Sequence, residues 1–234
     1  MSKKVFHKEI IEDLKEFRKN SEVDWNRANN KSAEEWNKIN PKTEKQFERF
    51  YETSKHYIDS MAAYNATGKK LRLIEKIVKV IADLTDVRTV LDFGCGVGSD
   101  TMWLNAIGYK TTGMDLPSIA LDFFRFRLKK HKMEDIEIIE VKKGFKIPKV
   151  DLILSLDTLE HVHDPFKTVK MLIDAKPKYM LFTTAFGVHE TADHTIPMHT
   201  DYSVAKWEKY IEENGYMKQK LQVAFPPRLF VRQK

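Results

Sequence analysis

Short apolar runs alternate with helical patterns from residue 86 onward, and this alternation constrains the fold more than any other feature. The apolar runs predict strands at 89–94, 111–115, 136–141, 150–157 and 179–186, and shorter strands near 218–224 and 228–232. The patterns between them predict helices at 100–108, 118–132, 165–175 and 203–215. Strands connected through helices imply a doubly wound, mostly parallel α/β sheet of seven strands. The last two strands are joined by a short link with two prolines, which predicts an antiparallel terminal hairpin.

The N-terminal part of the chain has a different pattern. Apolar residues recur at helical spacing over 6–17, and a polar, asparagine-rich stretch follows at 26–32. Pro41 opens a longer helical pattern that continues to Met61. The sequence therefore predicts two parts, which are an N-terminal helical extension or lid at 1–70 and a ligand-binding domain at 71–234.

Composition places the chain among globular proteins. It has 234 residues, of which 42% are hydrophobic, and no apolar run approaches the ~20 residues of a membrane span. Its only cysteine is Cys95, so an internal disulfide is impossible, and the N-terminus lacks an apolar stretch of signal-peptide length. These features predict a cytoplasmic location. The net charge of +6 is spread over mixed acidic and basic residues.

Three glycines lie close together where the first predicted strand ends. Residues 90–100 read VLDFGCGVGSD, with Gly94, Gly96 and Gly98 following an apolar run. Glycine at a strand-to-helix turn allows a tight turn and leaves space for a ligand against the main chain. Asp115 ends the second predicted strand, where a carboxylate can accept both hydroxyls of a ribose. This pattern predicts a nucleoside-containing ligand.

Three motifs in order resemble the class I S-adenosylmethionine (SAM)-dependent methyltransferases. They are VLDFGCGVGSD at 90–100, GMD at 113–115 and VDLILSLDTLEHVHDP at 150–165, and the resemblance covers roughly 70–234. It implies a Rossmann-like fold, a methyltransferase activity and SAM as cofactor. It also implies a terminal sheet hairpin, as the sequence pattern predicts.

The resemblance implies roles for particular residues. Those expected to contact SAM or shape its site are Asp92, Gly94, Cys95, Gly96, Gly98, Asp115, Leu116, Leu156 and Asp157. Asp115 would hold the ribose, Met114 or Leu116 would lie against the adenine, and Asp157 would face the methionine end. One departure concerns the adenine amino group, because residues 141–146 offer lysines where many members carry an acid or polar residue.

Histidines concentrate after the fourth and fifth strands, and three interpretations of them stay open. The five are His161, His163, His189, His194 and His199. In the first interpretation, His161 or His189 is the catalytic base. In the second, a divalent metal such as Fe, Mn, Zn or Mg binds to Asp157, Glu160, His161, His189, His194 and His199. Asp157, Glu160 and His161 form an acid-x-x-Glu-His stretch that is similar to one in ubiquinone-pathway O-methyltransferases. In the third, the histidines only pack near the cofactor.

The acceptor site is expected between the N-terminal helices and the loop at 187–202. Tyr57, Tyr64 and His199 are predicted to contact the substrate. The chain lacks the Asn/Asp-Pro-Pro-aromatic motif of enzymes that methylate nucleic-acid nitrogens. The sequence therefore favours a small-molecule acceptor, with oxygen preferred over carbon or nitrogen, and a monomer or homodimer.

Two other functions stay open and a third is disfavoured. The basic stretch FFRFRLKKHK at 123–132 could serve a tRNA or rRNA methyltransferase. A SAM-binding regulatory module without catalysis would use the same glycine turn. A nicotinamide oxidoreductase is disfavoured, because the glycine spacing differs from its G-x-G-x-x-G and no hydride-transfer constellation is present.

Overall fold

The computed structural model describes residues 6–19, 25–186, 202–221 and 227–233. The helices are α1 (Phe6–Arg18), α2 (Trp25–Ile39), α3 (Glu44–Thr53), α4 (Tyr57–Asn65), α5 (Gly68–Ala82), α6 (Ser99–Ala106), α7 (Ile119–His131), α8 (Pro165–Asp174) and α9 (Val204–Glu213). The strands are β1 (Thr89–Phe93), β2 (Lys110–Asp115), β3 (Glu137–Glu140), β4 (Leu152–Leu156), β5 (Tyr179–Thr183), β6 (Tyr216–Gln219) and β7 (Arg228–Arg232).

The seven strands form one sheet in the order β3-β2-β1-β4-β5-β7-β6. The pairs from β3 through β5 are parallel, whereas β7 runs antiparallel to both β5 and β6. The predicted fold class and terminal hairpin are therefore confirmed. The strand order reverses between β1 and β4, which is the place where doubly wound sheets bind ligands.

Apolar side chains cover both faces of the sheet. One cluster joins the sheet to α5, α6 and α7 and includes Ile74, Trp103 and Leu128. The other joins it to α8 and α9 and includes Leu172 and Trp207. All five residues of β4 are buried, as its continuous apolar sequence predicts.

The N-terminal helices differ from the prediction in two ways. The asparagine-rich stretch lies inside α2, and the single helix expected from Pro41 to Met61 is two helices with a break at 54–56. α3 begins at Glu44 behind a capping box rather than at Pro41. Tertiary packing explains α2, because Trp36 lies edge-to-face against Phe50 at 5.0 Å between ring centroids.

Several strands also differ from the prediction in their bounds. β3, β4 and β5 are shorter than the predicted 136–141, 150–157 and 179–186, and β6 begins before the predicted 218–224. Part of that last range, 222–226, lies outside the described residues. No helix within the described ranges is both long and apolar enough to cross a membrane.

A buried arginine attaches α1 to the rest of the fold. Arg127 of α7 is fully buried, and its Nε lies 3.0 Å from Asp13 Oδ2 on α1. The same guanidinium donates to the carbonyl oxygens of Phe6 and Val97 and to Ser99 Oγ. α1 is thereby joined to the turn that follows β1.

Candidate active site

A cavity of about 820 Å³ opens at the carboxyl ends of β1, β2 and β4. This volume lies in the upper part of the range for small-molecule pockets, ~300–1,000 Å³. Strand ends form one side of the cavity, and α3 and α4 form the other. Most of the residues expected to contact SAM line it, namely Gly94, Cys95, Gly96, Asp115, Leu116, Leu156 and Asp157. The cavity is therefore shared by the predicted cofactor side and the N-terminal helices.

The glycine turn after β1 fits closely against neighbouring elements. Gly94 and Gly98 have φ angles of 79° and 75°, in the left-handed region. A Cβ atom on Gly94 would lie 2.2 Å from Thr158, and one on Gly98 would lie 2.0 Å from the ring of Phe124. Among the described residues, Gly98 is not part of the cavity wall. Gly94 lines the cavity, whereas the close contact at Gly98 is to α7.

Asp92 lies behind the turn rather than on the cavity wall. It is 3% exposed and accepts a 2.5 Å hydrogen bond from Thr101 Oγ1. Burial raises the pKa of Asp92 to about 7, and the Asp100 carboxylate adds to the rise. This placement fits a role in holding the turn.

Asp115 fits the recognition of a ribose. Its Oδ2 accepts from the Gly96 amide at 2.6 Å, and its Oδ1 accepts from the Leu116 amide at 2.7 Å. A carboxylate offers about four lone-pair sites, so two hydroxyls can still bind to it. Burial raises the pKa of Asp115 to about 6, although the two amides favour its charged form.

A buried lysine connects the N-terminal helices to the ends of β1 and β4. Lys70 Nζ lies 2.8 Å from Asp100 Oδ2 and 3.9 Å from Asp157 Oδ2, and its side chain is 4% exposed. His7 of α1 binds the other oxygen of Asp100 at 2.7 Å. Burial alone lowers the pKa of Lys70, but Asp100 and Asp157 outweigh it, so the pKa lies above its ordinary value. Lys70 is missing from the site residues expected from the sequence, although its spacing from Ile74 and Ile77 places this lysine on the apolar face of α5.

Asp157 is held by residues on both sides of the cavity. Tyr64 Oη donates to its Oδ2 at 2.8 Å, and Thr183 Oγ1 donates to its Oδ1 at 2.7 Å. Its backbone has a φ angle of 53°, which is uncommon for a residue other than glycine. Backbone strain of this kind concentrates at functional sites, where the surroundings hold the residue in place.

The proposed metal ligands come together only in part. Glu160 is fully buried and does not line the cavity, whereas Asp157 and His161 do. The described ranges contain no group of three or more His, Cys, Asp or Glu side chains placed to hold a metal ion. His189, His194 and His199 lie outside the described residues, so their predicted roles stay predictions.

Aromatic side chains form the wall opposite the strand ends. Tyr57 and Tyr64, the predicted substrate residues, both line the cavity together with Tyr51. The rings of Tyr51 and Tyr57 lie 5.1 Å apart in an edge-to-face arrangement. His161 faces this group, with its ring centroid 6.3 Å from that of Tyr51.

The basic stretch at 123–132 serves packing within the fold. Phe123 and Phe124 are fully buried, and Arg127 has the buried partners given above. Lys130 Nζ lies 2.6 Å from Glu16. Phe126 is partly buried, and its ring centroid lies 5.5 Å from that of Phe17. Phe123 and Phe124 are therefore not available to stack on nucleic-acid bases.

Replacing Glu160 with glutamine is expected to stabilise the fold more as the pH rises. Glu160 Oε1 accepts from the Ala185 amide at 3.0 Å, and burial, followed by the Asp157 charge, raises the pKa of Glu160 to about 8 from 4.5. Between these values the unfolded chain loses the proton that the folded chain keeps, so wild-type stability falls by about 1.4 kcal/mol per pH unit relative to Glu160→Gln. Urea unfolding of both proteins at pH 5, 6.5 and 8 measures this difference. A stability difference between the two proteins that stays the same at all three pH values would contradict this prediction.

Comparison with known proteins assigns the chain to a protein family. A family model described as a methyltransferase domain matches residues 55–228. A search of curated proteins gives no significant match. The matched range runs from just before α4 to the start of β7, and therefore includes the whole cofactor side of the cavity.

Solved structures share the fold. A SAM-dependent methyltransferase from Aquifex aeolicus is 21% identical, with a TM-score of 0.52 over 70% of this chain and 94% of its own. A protein from Pyrococcus horikoshii OT3 is 16% identical, with a TM-score of 0.55 over 71% of this chain and 92% of its own. Magnesium protoporphyrin IX methyltransferase from Synechocystis PCC 6803 with bound SAM is 15% identical, with a TM-score of 0.56 over 92% of this chain and 100% of its own.

The structural alignments show a common fold, and the family model shows the family. The sheet order, the terminal hairpin and the glycine turn agree with both. The chain belongs to the methyltransferase domain family and is a class I SAM-dependent methyltransferase.

Proposed function

We propose that this enzyme transfers the methyl group of SAM to a hydroxyl oxygen of a small-molecule acceptor, with His161 as the general base. The observation that supports this best is the shared cavity, in which His161 and the aromatic wall meet the glycine turn and Asp115. When bound, SAM supplies a methyl group that is activated by its sulfonium charge. The chain must then align the acceptor and take up its hydroxyl proton.

The residues of the strand ends would hold SAM. Asp115 binds the ribose hydroxyls, and the turn at 94–97 lies along the amino-acid half of the cofactor. Lys70 and Asp157 offer opposite charges to the methionine carboxylate and ammonium groups. The adenine lies near Leu116, and Cys95 and Leu156 complete the wall.

The helical extension at 1–70 is proposed as the lid of the domain at 71–234. α3 and α4 contribute a full wall of the cavity, and Tyr64 reaches across it to Asp157. Such a wall excludes water, which strengthens electrostatic interactions within the site. The alignment with the Synechocystis enzyme covers 92% of this chain, so it must include much of this extension.

A small molecule is favoured over RNA as the acceptor. Phe123 and Phe124 are fully buried, Phe126 is partly buried, and the cavity lies between helices and strand ends. The Synechocystis enzyme carries a small molecule in its name, which supports the same class here. A metal-assisted reaction would need ligands from the loop at 187–201, and it stays a separate prediction.

Replacing His161 with asparagine is expected to lower kcat by about 10²- to 10⁴-fold, because the general base is lost. The Kd for SAM should stay unchanged, since the proposed SAM contacts lie elsewhere. Formation of S-adenosylhomocysteine with a panel of phenols and alcohols measures the rate, and calorimetry measures SAM binding. The variant should also lose the acidic limb of the pH–rate profile.

Two controls separate the base from its alternatives. His163→Asn changes a second imidazole that lines the cavity, and it should alter kcat far less. Dialysis of the wild type against EDTA should leave its rate unchanged. Equal losses in both variants would contradict the role of His161, and activity restored only by Fe, Mn, Zn or Mg would favour a metal instead.

A further inference from the structure

The cavity is acidic although the chain is basic. The chain carries a net charge of +6. The cavity wall, in contrast, has six carboxylates and three lysines. These are Glu44, Glu48, Asp100, Asp115, Asp157 and Asp164, with Lys69, Lys70 and Lys167. SAM carries a net positive charge, so it accounts for part of this excess but not for all of it.

The acids at the edge of the cavity lie away from the proposed SAM contacts. Glu44 and Glu48 are on α3, and Asp164 caps α8. Lys167 neutralises Glu44 at 2.7 Å. Within the described part of the chain, Glu48 has no hydrogen-bond or ion-pair partner. Burial raises the pKa of Glu48 most, the like charges of Glu44 and Glu52 add to the rise, and Lys167 offsets part of it. The acids that act on Glu48 therefore outnumber the lysine that opposes them.

Aromatic rings continue inward from this acidic edge. Phe47, Tyr51 and Tyr57 all line the cavity. Burial is the largest cause that raises the pKa of Tyr57, and the Asp115 carboxylate adds to it, so negative charge also lies near these rings. Aromatic faces beside carboxylates favour an organic cation. The site already shows such a contact, because Lys70 Nζ lies 5.6 Å from the ring centroid of Tyr64.

Several buried hydroxyl groups on the same wall lack a hydrogen-bond partner among the described residues. Ser32 is fully buried and lines the cavity, yet its Oγ has no hydrogen-bond partner among the described residues. Tyr51 and Ser60 are half-buried and also line the cavity, and their buried hydroxyl oxygens likewise have no hydrogen-bond partner among the described residues. Unpartnered buried polar atoms are costly, so a ligand that satisfies them gains affinity. An amine has several N–H donors, and hydroxyl oxygens can accept from them.

We propose that the methyl acceptor is a small hydroxyl compound that carries a positively charged amine. Its cationic group lies between Glu48 and the aromatic rings, and its hydroxyl points toward His161. This inference rests on the proposed function and adds the charge class of the acceptor. A polyanionic acceptor is disfavoured, because like charges at the edge would repel it.

A series of phenols that differ only in charge tests the proposal. Tyramine, p-cresol and 4-hydroxyphenylacetate share a ring and a hydroxyl but are cationic, neutral and anionic. Their Kd values for the enzyme loaded with S-adenosylhomocysteine are measured by calorimetry at low ionic strength. Tyramine should bind about fivefold more tightly than p-cresol, the upper range for a partly exposed ion pair, and the anion most weakly. The preference should shrink at high salt.

A matched pair of variants locates the effect. Glu48→Gln should remove most of the preference for tyramine over p-cresol. Glu52→Gln changes the next acid along α3, which does not line the cavity, and it should reduce the preference far less than Glu48→Gln does. Thermal melting checks that both variants fold.

The binding series and the two variants separate failure of this proposal from failure of the proposed function. Equal or tighter binding of the neutral or anionic phenol would overturn it, as would failure of all three to bind. Loss of the preference in both variants would show that the edge at Glu48 is not its source. Failure of the wild type to bind SAM would instead overturn the proposed function, so the two failures can be told apart.

Discussion

Replacing Asp115 with asparagine is expected to weaken SAM binding by about thirtyfold or more. Asp115 is the buried carboxylate at the end of β2, and its oxygens accept from the Gly96 and Leu116 amides. A hydrogen bond to a charged group contributes roughly 1.5–3 kcal/mol, and a ribose would form two of them. Asparagine also brings an N–H₂ group against one of the two amide donors, so the turn loses an acceptor.

Calorimetric titration with SAM measures the loss, and pH provides a second signature. Because the ligand-free pKa of Asp115 lies at about 6, the affinity of the wild type should fall as the pH drops below that value. The Asp115→Asn variant should lack this dependence. Asp122→Asn, on the exposed side of α7, serves as the control. An unchanged Kd in Asp115→Asn would exclude the ribose role.

The sheet and the glycine turn could be predicted from the sequence because their signals are local. Apolar runs give strands, the short link gives the hairpin, and glycines mark the turn after β1. Asp115 follows from its place at a strand end. These features depend on residues that are close together in the chain.

The N-terminal helices and the cavity wall depend on distant contacts instead. α2 has few apolar residues, and Trp36 is buried because aromatic rings of α3 and α4 pack around it. Lys70 becomes part of the site through Asp100, thirty residues later, and Asp157. Helical spacing places Lys70 on the buried face of α5 with Ile74 and Ile77, but it does not show which acids lie against that lysine.

Gly98 shows how a correct motif can carry a different physical reason. The sequence suggested that this glycine leaves space for the ligand. In the structure, the space that it leaves is filled by Phe124 of α7. The left-handed φ angle and the ring contact both call for glycine, and neither involves the cavity.

Replacing Gly98 with alanine is accordingly expected to destabilise the fold by roughly 2–5 kcal/mol. The left-handed backbone contributes about 1–2 kcal/mol, and overpacking against Phe124 adds roughly 1–3 kcal/mol. Gly108→Ala is the matched control, because Gly108 has a φ angle of 110° and its Cβ would meet nothing within 4 Å. The Gly108→Ala variant should lose only the backbone contribution to the free energy of unfolding. Urea unfolding measures both variants.

Phe124→Leu, made with and without Gly98→Ala, separates strain from overpacking. If the ring is the obstacle, Phe124→Leu should cost less stability beside Gly98→Ala than in the wild type, with a coupling of about 1 kcal/mol or more. Additive effects would leave the backbone conformation as the sole reason for glycine. Equal losses in Gly98→Ala and Gly108→Ala would lead to the same conclusion, and the close packing of α7 would then not explain the third glycine of the motif.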